Sequence, residues 1–313
     1  MPELKHDAWK GDTGGTPWMQ RFLIAWLKRF SLRSLYAVMA CVIPWYVLLS
    51  VRGRRAVWRY MRERQGFGFF RSCRMTFLNF YRFGQVILDR FAVYAGQSFT
   101  FRVEGDGEFR RCCDSGRGVV MLCAHVGNFE ITGYSLQLDG HRINSLVFGG
   151  ETETVMANRE RSFSGHNVRM VPVSSDMSHI FLLNNALAAG EIVTIHADRV
   201  FGSSKSAVHG FLGAPARFPL GPYVLAAGRD VPVFAAFTMK TSGREYLVRL
   251  RRIDRGGLAE TACGSGVRER TGVLLDAFVG ELESVLREYP EQWFNYYDFW
   301  ADGEASGNAD GVS

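Results

Sequence analysis

From Leu35 to Val51 the chain runs seventeen residues without a charge, LYAVMACVIPWYVLLSV. At about 1.5 Å per residue, a helix of that length sits at the short limit for crossing the hydrocarbon of a bilayer. Pro44 falls in its middle and predicts a kink, because the ring removes an N–H and crowds the preceding turn. Upstream, Trp18–Phe30 mixes Trp18, Phe22, Leu23, Ile24, Trp26 and Leu27 with Arg21, Lys28 and Arg29, an interfacial composition of apolar mass, indole anchors and basic heads. Downstream, Arg52, Arg54, Arg55, Arg59, Arg62 and Arg64 follow at once. A cleavable signal peptide does not fit, since the apolar run starts late and ends in arginines rather than small residues. A buried helical hairpin of a soluble protein is the rival reading; the basic flanks favour a membrane. If the segment spans, its more basic downstream flank puts the body in the cytoplasm. Residues 68–93 continue as a helix, with Phe77, Tyr81, Gly84, Leu88 and Phe91 on one stripe that predicts core contact.

Beyond this the period changes. Phe99–Val103 is a short β run, and Gly118–Ala124 (GVVMLCA) is almost continuously apolar, the mark of a strand covered on both faces. Strand-like runs recur at Ile143–Phe148, Val168–Val173, Glu191–His196 and Val231–Met239. Helical patterns lie between them at Phe129–Leu138, Thr152–Ser162, Ser178–Ala189 and Gly221–Gly228. Tyr246, Val248 and Leu250 alternate with Leu247, Arg249 and Arg251, as in a half-exposed edge strand. Thr271–Tyr289 reads as an amphipathic closing helix ended by Pro290. Alternating helices and buried strands predict an α/β fold: a mixed, mostly parallel central sheet covered by helices, with membrane-associated helices in front. The expected division is a flexible N-terminus at 1–15, a basic, aromatic helical membrane-binding region at 16–95, an α/β domain at 96–301 and a disordered tail at 302–313.

Composition narrows the class. A chain of 313 residues, 47% hydrophobic and 22% charged, can bury a full core and is neither a disordered acidic polymer nor low in complexity. Six cysteines without a C-x-x-C pair argue against a disulfide scaffold or a zinc ribbon and suit a reducing compartment. The net charge of +6 hides a split: residues 1–90 carry 16 Lys/Arg against 5 Asp/Glu, and residues 91–313 carry 21 against 26. A basic, aromatic front end suits anionic lipid or nucleic acid. With no helix-turn-helix, zinc-finger or RNA-recognition signature, lipid is the better partner and no nucleic acid is expected.

The candidate chemistry lies in Val119–Glu130, VVMLCAHVGNFE. A buried strand ends at His125, Val126–Asn128 turn, and a helix begins near Phe129, so His-x4-Glu puts an imidazole at a strand's carboxyl end and Glu130 in the first helical turn. Ligands gather at that end of open α/β sheets. A glutamate there can hold one ring nitrogen protonated and leave the other free to take a proton from a hydroxyl or amine. Gly127 and Asn128 would let backbone N–H groups approach a developing oxyanion. No G-x-S-x-G elbow, phosphate loop or metal-ligand spacing accompanies the motif, so no hydrolase serine, nucleotide cofactor or metal is expected.

AHVGNFE, followed about 65 residues later by HADRVFGSSKSAVHGFLGAPARFPLGPYVLAAGRDVPVFAAF, resembles the lysophospholipid acyltransferase superfamily. The closer resemblance is to the branch of bacterial late lipid A acyltransferases, the lauroyl and myristoyl transferases. The basic, Trp-rich N-terminal helices and the C-terminal YPEQWFNYYDFW are similar to that branch too, so the resemblance covers roughly residues 15–301. It implies transfer of a fatty acyl group from acyl carrier protein or acyl-CoA to a lipid acceptor at the cytoplasmic face of the bacterial inner membrane, with no other cofactor. It implies His125 as base and Glu130 as its partner. Asp198 and Arg199 match an acidic–polar pair ending the strand before a glycine loop, and Phe211, Gly213, Pro215 and Ala216 match the loop itself. Arg217 follows where related enzymes carry a hydroxyl-rich run, and Arg159 is similar to an arginine after the second strand. Arg199, Lys205 and Arg217 could supply charge to the phosphates of the donor. A catalytically silent lipid- or carrier-binding protein on the same fold is the alternative, and the intact His125/Glu130 pair argues against it.

Overall fold

The computed structural model describes residues 17–131, 136, 140–147, 167–174, 176–200, 205–254 and 266–300. Four helices come first: α1 (Pro17–Arg29), α2 (Leu32–Leu49), α3 (Val51–Arg59), which passes into a π-turn at Tyr60–Arg64, and α4 (Phe69–Tyr94). Ser31 caps α2 through the Ser34 N–H at 3.3 Å, and Arg54 reaches back to the last-turn carbonyls of Val47 and Leu48. Pro44 does not break the helix. Only Leu32, Leu35, Tyr36 and Ile43 of α2 are buried; Val38, Val42, Trp45, Leu48 and Leu49 point outward. This is the one helix among the described residues long and apolar enough to cross a membrane.

The body is a seven-stranded sheet, built from β1 (Thr100–Glu104), β2 (Val119–Gly127), β3 (Ile143–Val147), β4 (Val168–Pro172), β5 (Ile192–His196) and, after an interruption, two further strands. The interruption is a separate hairpin of β6 (Ser206–Phe211) and β7 (Ala214–Pro219). Then β8 (Val233–Lys240) and β9 (Glu245–Arg252) complete the sheet in the order β1-β9-β8-β2-β5-β3-β4. Within this seven-stranded sheet every pairing is parallel except β8 with β9. Helices α5 (Asp106–Asp114), α6 (Ser178–Ala188), α7 (Gly221–Ala227) and α8 (Val267–Glu288) accompany the strands, and Pro290–Gln292 forms a 3-10 turn after α8.

The near-continuous apolar run of β2 has its physical counterpart: Val120, Leu122, Ala124 and Val126 enter one core with α7 and α8, while Val119, Met121 and Cys123 enter another with Phe109, Cys112 and Cys113 of α5. Two expectations need correction. Strand β9 is interior, because β1 pairs beside it in parallel and leaves Tyr246, Leu247, Val248 and Leu250 buried. On α4 the buried face includes Ser72, Thr76, Asn79 and Asp89, whereas Phe77 is exposed; polar partners, rather than an apolar stripe alone, dock this helix. The β6–β7 hairpin carries no alternating signal strong enough to read. The helix expected at Thr152–Ser162, Arg159 within it, most of Thr132–Leu138, residues 1–15 and the tail after Asp302 lie outside the described residues.

Candidate active site

Strand β2 does not stop at His125. From Cys123 to Gly127 it advances four residues while its partner β8 advances two, from Ala236 to Thr238. This bulge carries His125 out of the regular ladder, as bulges near functional sites do. Re-pairing beyond it requires glycine. Gly127 has φ +59°, and a Cβ there would lie 1.9 Å from the Thr238 carbonyl oxygen. The next residue, Asn128, donates its backbone N–H to that same oxygen at 2.8 Å. The Asn128 N–H, one of the two expected to face an oxyanion, is therefore committed to the sheet.

The second half of the site comes from β5, which runs parallel to β2 with Cys123 opposite His196. Two residues on, Asp198 is fully buried. Its Oδ1 lies 2.7 Å from His125 Nδ1, and its Oδ2 accepts the His125 backbone N–H at 3.0 Å and the Trp293 indole N–H at 3.4 Å. The ring partner is thus Asp198, not the Glu130 that motif spacing and resemblance imply. Glu130 follows Phe129 in the first turn of the helix after the bulge, and its carboxylate faces Arg90 of α4 at 2.9 Å.

Charge fixes the tautomer. Burial raises the Asp198 pKa, but the His125 ring, its hydrogen bond and Arg199 outweigh burial and hold the carboxyl well below the usual carboxylate range. Burial and the neighbouring Arg199 charge lower the His125 pKa against the opposing pull of Asp198. At neutral pH the imidazole is neutral, and an ionised carboxylate can only accept. Nδ1 therefore carries the proton and Nε2 is a free base. The His125 side chain is 21% exposed, enough for a substrate atom to reach it. His196 and Phe129 flank the ring at centroid distances of 4.6 and 6.2 Å.

The segment after α8 holds this pair in place. Phe294 donates its N–H to the His125 carbonyl at 3.0 Å, and Arg199 is clamped by Asn295 Oδ1 and the Phe294 carbonyl, both at 2.6 Å. Asn79 of α4 supports the same segment through the Glu291 and Trp293 carbonyls. The glycine-loop block is a two-residue hairpin with Leu212 and Gly213 both at positive φ, as a type I′ turn requires. Pro215 pairs with Gly210, and Ala216 with His209, across it. Phe211 packs on Trp293, Phe299 and Trp300 and accepts the Trp300 indole N–H at its carbonyl, so the hairpin braces the strap rather than lining the imidazole. Arg217 donates to Ser206 within the hairpin, and Lys205 is exposed.

His125, Gly127, Asn128, Asp198 and Arg199 are therefore brought together, while Gly213 and Pro215 are structural supports one layer away. Spacing alone missed Asp198 as the ring partner and Trp293, Phe294 and Asn295 as wall. The available signal was a buried-strand ending in His-Ala-Asp, together with Gln, Trp and Asn crowded among aromatics in YPEQWFNYYDFW.

The model of the bacterial lipid A biosynthesis acyltransferases matches residues 79–297, well over half the chain, and the chain belongs to that family. No curated protein sequence matches it. It is an acyltransferase of lipid biosynthesis, and the matched span includes every member of the site described above.

Proposed function

We propose that this lipid A biosynthesis-type acyltransferase moves a fatty acyl chain from a carrier thioester, acyl carrier protein or CoA, directly to a hydroxyl or amine of a lipid acceptor. His125 Nε2 takes the proton from the acceptor as its oxygen or nitrogen attacks the thioester carbonyl carbon. The tetrahedral oxyanion then collapses, the C–S bond breaks, and the imidazolium returns its proton to the departing thiolate. Asp198 orients the ring and stabilises its positive charge, the role a buried carboxylate plays behind a catalytic histidine. Arg199, clamped beside the pair, disfavours the imidazolium and favours a developing oxyanion. Glu130, fixed by Arg90, shapes the wall of the site.

The observation that carries this reading is the His125–Asp198 pair: a partly exposed imidazole with Nδ1 locked at 2.7 Å on an ionised carboxylate and Nε2 left as base. The outward apolar face of α2 and its arginine-rich flank support attachment to the inner membrane, with residues 96–301 on the cytoplasmic side. The test is transfer of labelled acyl chains from acyl carrier protein into a lipid extract by detergent-purified protein, with chelator present. His125→Ala is expected to lose about 10²–10⁴-fold in turnover while staying folded. Near-wild-type turnover in that variant would refute the base assignment. Label released only as free fatty acid would make the enzyme a thioesterase.

A further inference from the structure

Behind the site lies a second polar cluster that the reaction does not use. Asp89 of α4 and Lys240 at the end of β8 form an ion pair at 2.5 Å with both side chains wholly buried. The hydroxyls of Tyr36 in α2 and Tyr246 in β9 both donate to the same Asp89 carboxylate, and the ammonium also reaches the Gly243 carbonyl at 2.9 Å. The rings of Tyr36, Phe99 and Tyr246 surround that ammonium at 4.8–5.5 Å. Apolar side chains of similar size often stabilise a core as well as a buried ion pair does, whereas the pair is far more exacting in geometry.

Two arms lead from this cluster to the catalytic pair. Through Tyr246, the hydroxyl that donates to Asp89 accepts the Asn128 side-chain N–H at 3.4 Å, three residues after His125. Through Lys240, the backbone N–H and C=O are both bonded to the Gln292 amide, at 2.8 and 2.9 Å. Gln292 precedes Trp293, whose indole N–H reaches Asp198, and Phe294, whose N–H reaches the His125 carbonyl. A third arm, Tyr36, leads outward to the apolar helix.

We propose that Asp89, Lys240 and Tyr246 form a positioning hub that sets the place of His125 and Asp198, and that Tyr36 makes this geometry depend on the seating of α2. The proposal rests on His125 acting as base. None of these side chains touches the reacting atoms; they act through Asn128 and Gln292. Displacing a reacting group by about 1 Å can cost 10²-fold, so loss of the hub should appear in kcat and not in substrate binding.

The test uses the full-length protein in the thioester-to-lipid assay, with kcat and KM measured per folded molecule and melting followed by circular dichroism. Three variants are compared. Tyr246→Phe and Tyr36→Phe each remove one oxygen and keep the ring. The pair Asp89→Leu with Lys240→Met replaces both charges by apolar bulk; it takes the acceptor from two tyrosine hydroxyls and is expected to melt lower than wild type while remaining folded at the assay temperature. The expected result is a kcat about 10- to 100-fold lower, with KM for donor and acceptor within about twofold. Wild-type kcat in the folded apolar pair or in Tyr246→Phe overturns the hub. So does a fall in total activity that matches the loss of folded protein. His125→Ala in the same assay separates the two claims: if it is inactive while the hub variants are fully active, only the hub fails; if it is active, the base reading fails as well.

Discussion

Replacing Asp198 by Asn changes one atom and tests the site more sharply than removing the histidine. The two carboxylate oxygens have different duties: Oδ1 faces His125 Nδ1 at 2.7 Å, and Oδ2 faces two donors, the His125 backbone N–H at 3.0 Å and the Trp293 indole at 3.4 Å. An amide offers one acceptor and one donor. With its NH2 on the Oδ2 side, it sets donor against donor twice in a fully buried place, at roughly 1–3 kcal/mol for each unsatisfied group. With its NH2 on the Oδ1 side every partner is satisfied, provided the imidazole gives up its Nδ1 proton. The second arrangement is cheaper. It moves the ring proton to Nε2 and removes the base. Asp198→Asn should therefore fold, lose no more than a few kcal/mol of stability, and drop about 10²–10⁴-fold in kcat. The assay is acyl transfer at saturating donor, with thermal melting on the same preparation. Turnover within about threefold of wild type would show that the tautomer is set by something else. A larger loss in Glu130→Gln than in Asp198→Asn would return the orienting role to Glu130.

Two further outcomes follow from charge and exposure. The His125 pKa lies below its ordinary 6.5, so kcat/KM should hold at neutral pH and fall on the acid side with a midpoint below that value; Arg199→Gln removes a cation that depresses it and should move the midpoint upward, as a pH–rate profile would show, whereas an unmoved or lowered midpoint would contradict the electrostatics. Trp45→Glu combined with Leu49→Glu places two charges on the exposed face of α2 and should shift the protein from vesicle-bound to free in flotation; unchanged flotation would point to the arginine-rich flank as the sole attachment.

The elements that could be read from the chain are those whose stability is local or whose burial is two-sided. The run VVMLC in β2, the amphipathic α8 and the apolar α2 all show in the sequence because each side chain's environment follows from its own period. What escaped depends on partners far along the chain. Asp198 is 73 residues from His125, and Lys240 is 151 residues from Asp89; no periodicity links such pairs. Glu130 was the nearer carboxylate in sequence, yet the bulge at His125 turns the ring toward β5 instead. Asp89, Asn79 and Thr76 lie on the buried face of α4 without marking it in the sequence, because a polar residue whose partner is distant cannot be told from one facing water.

The strap of residues 290–300 sets the order in which a newly made chain becomes competent. Strands β2 and β5 leave the ribosome long before residue 293, so His125 and Asp198 can meet early, but the carbonyl of the one and the outer oxygen of the other wait for Phe294 and Trp293. The clamp on Arg199 waits for the same stretch. The apolar helix α2, by contrast, emerges before any strand. A chain halted before residue 290 would already carry its apolar helix and all seven strands of its sheet, yet would lack the wall that fixes the base. If α2 carries the protein to the membrane as proposed, attachment precedes activity during synthesis, and interrupted products would reach the lipid surface catalytically unfinished.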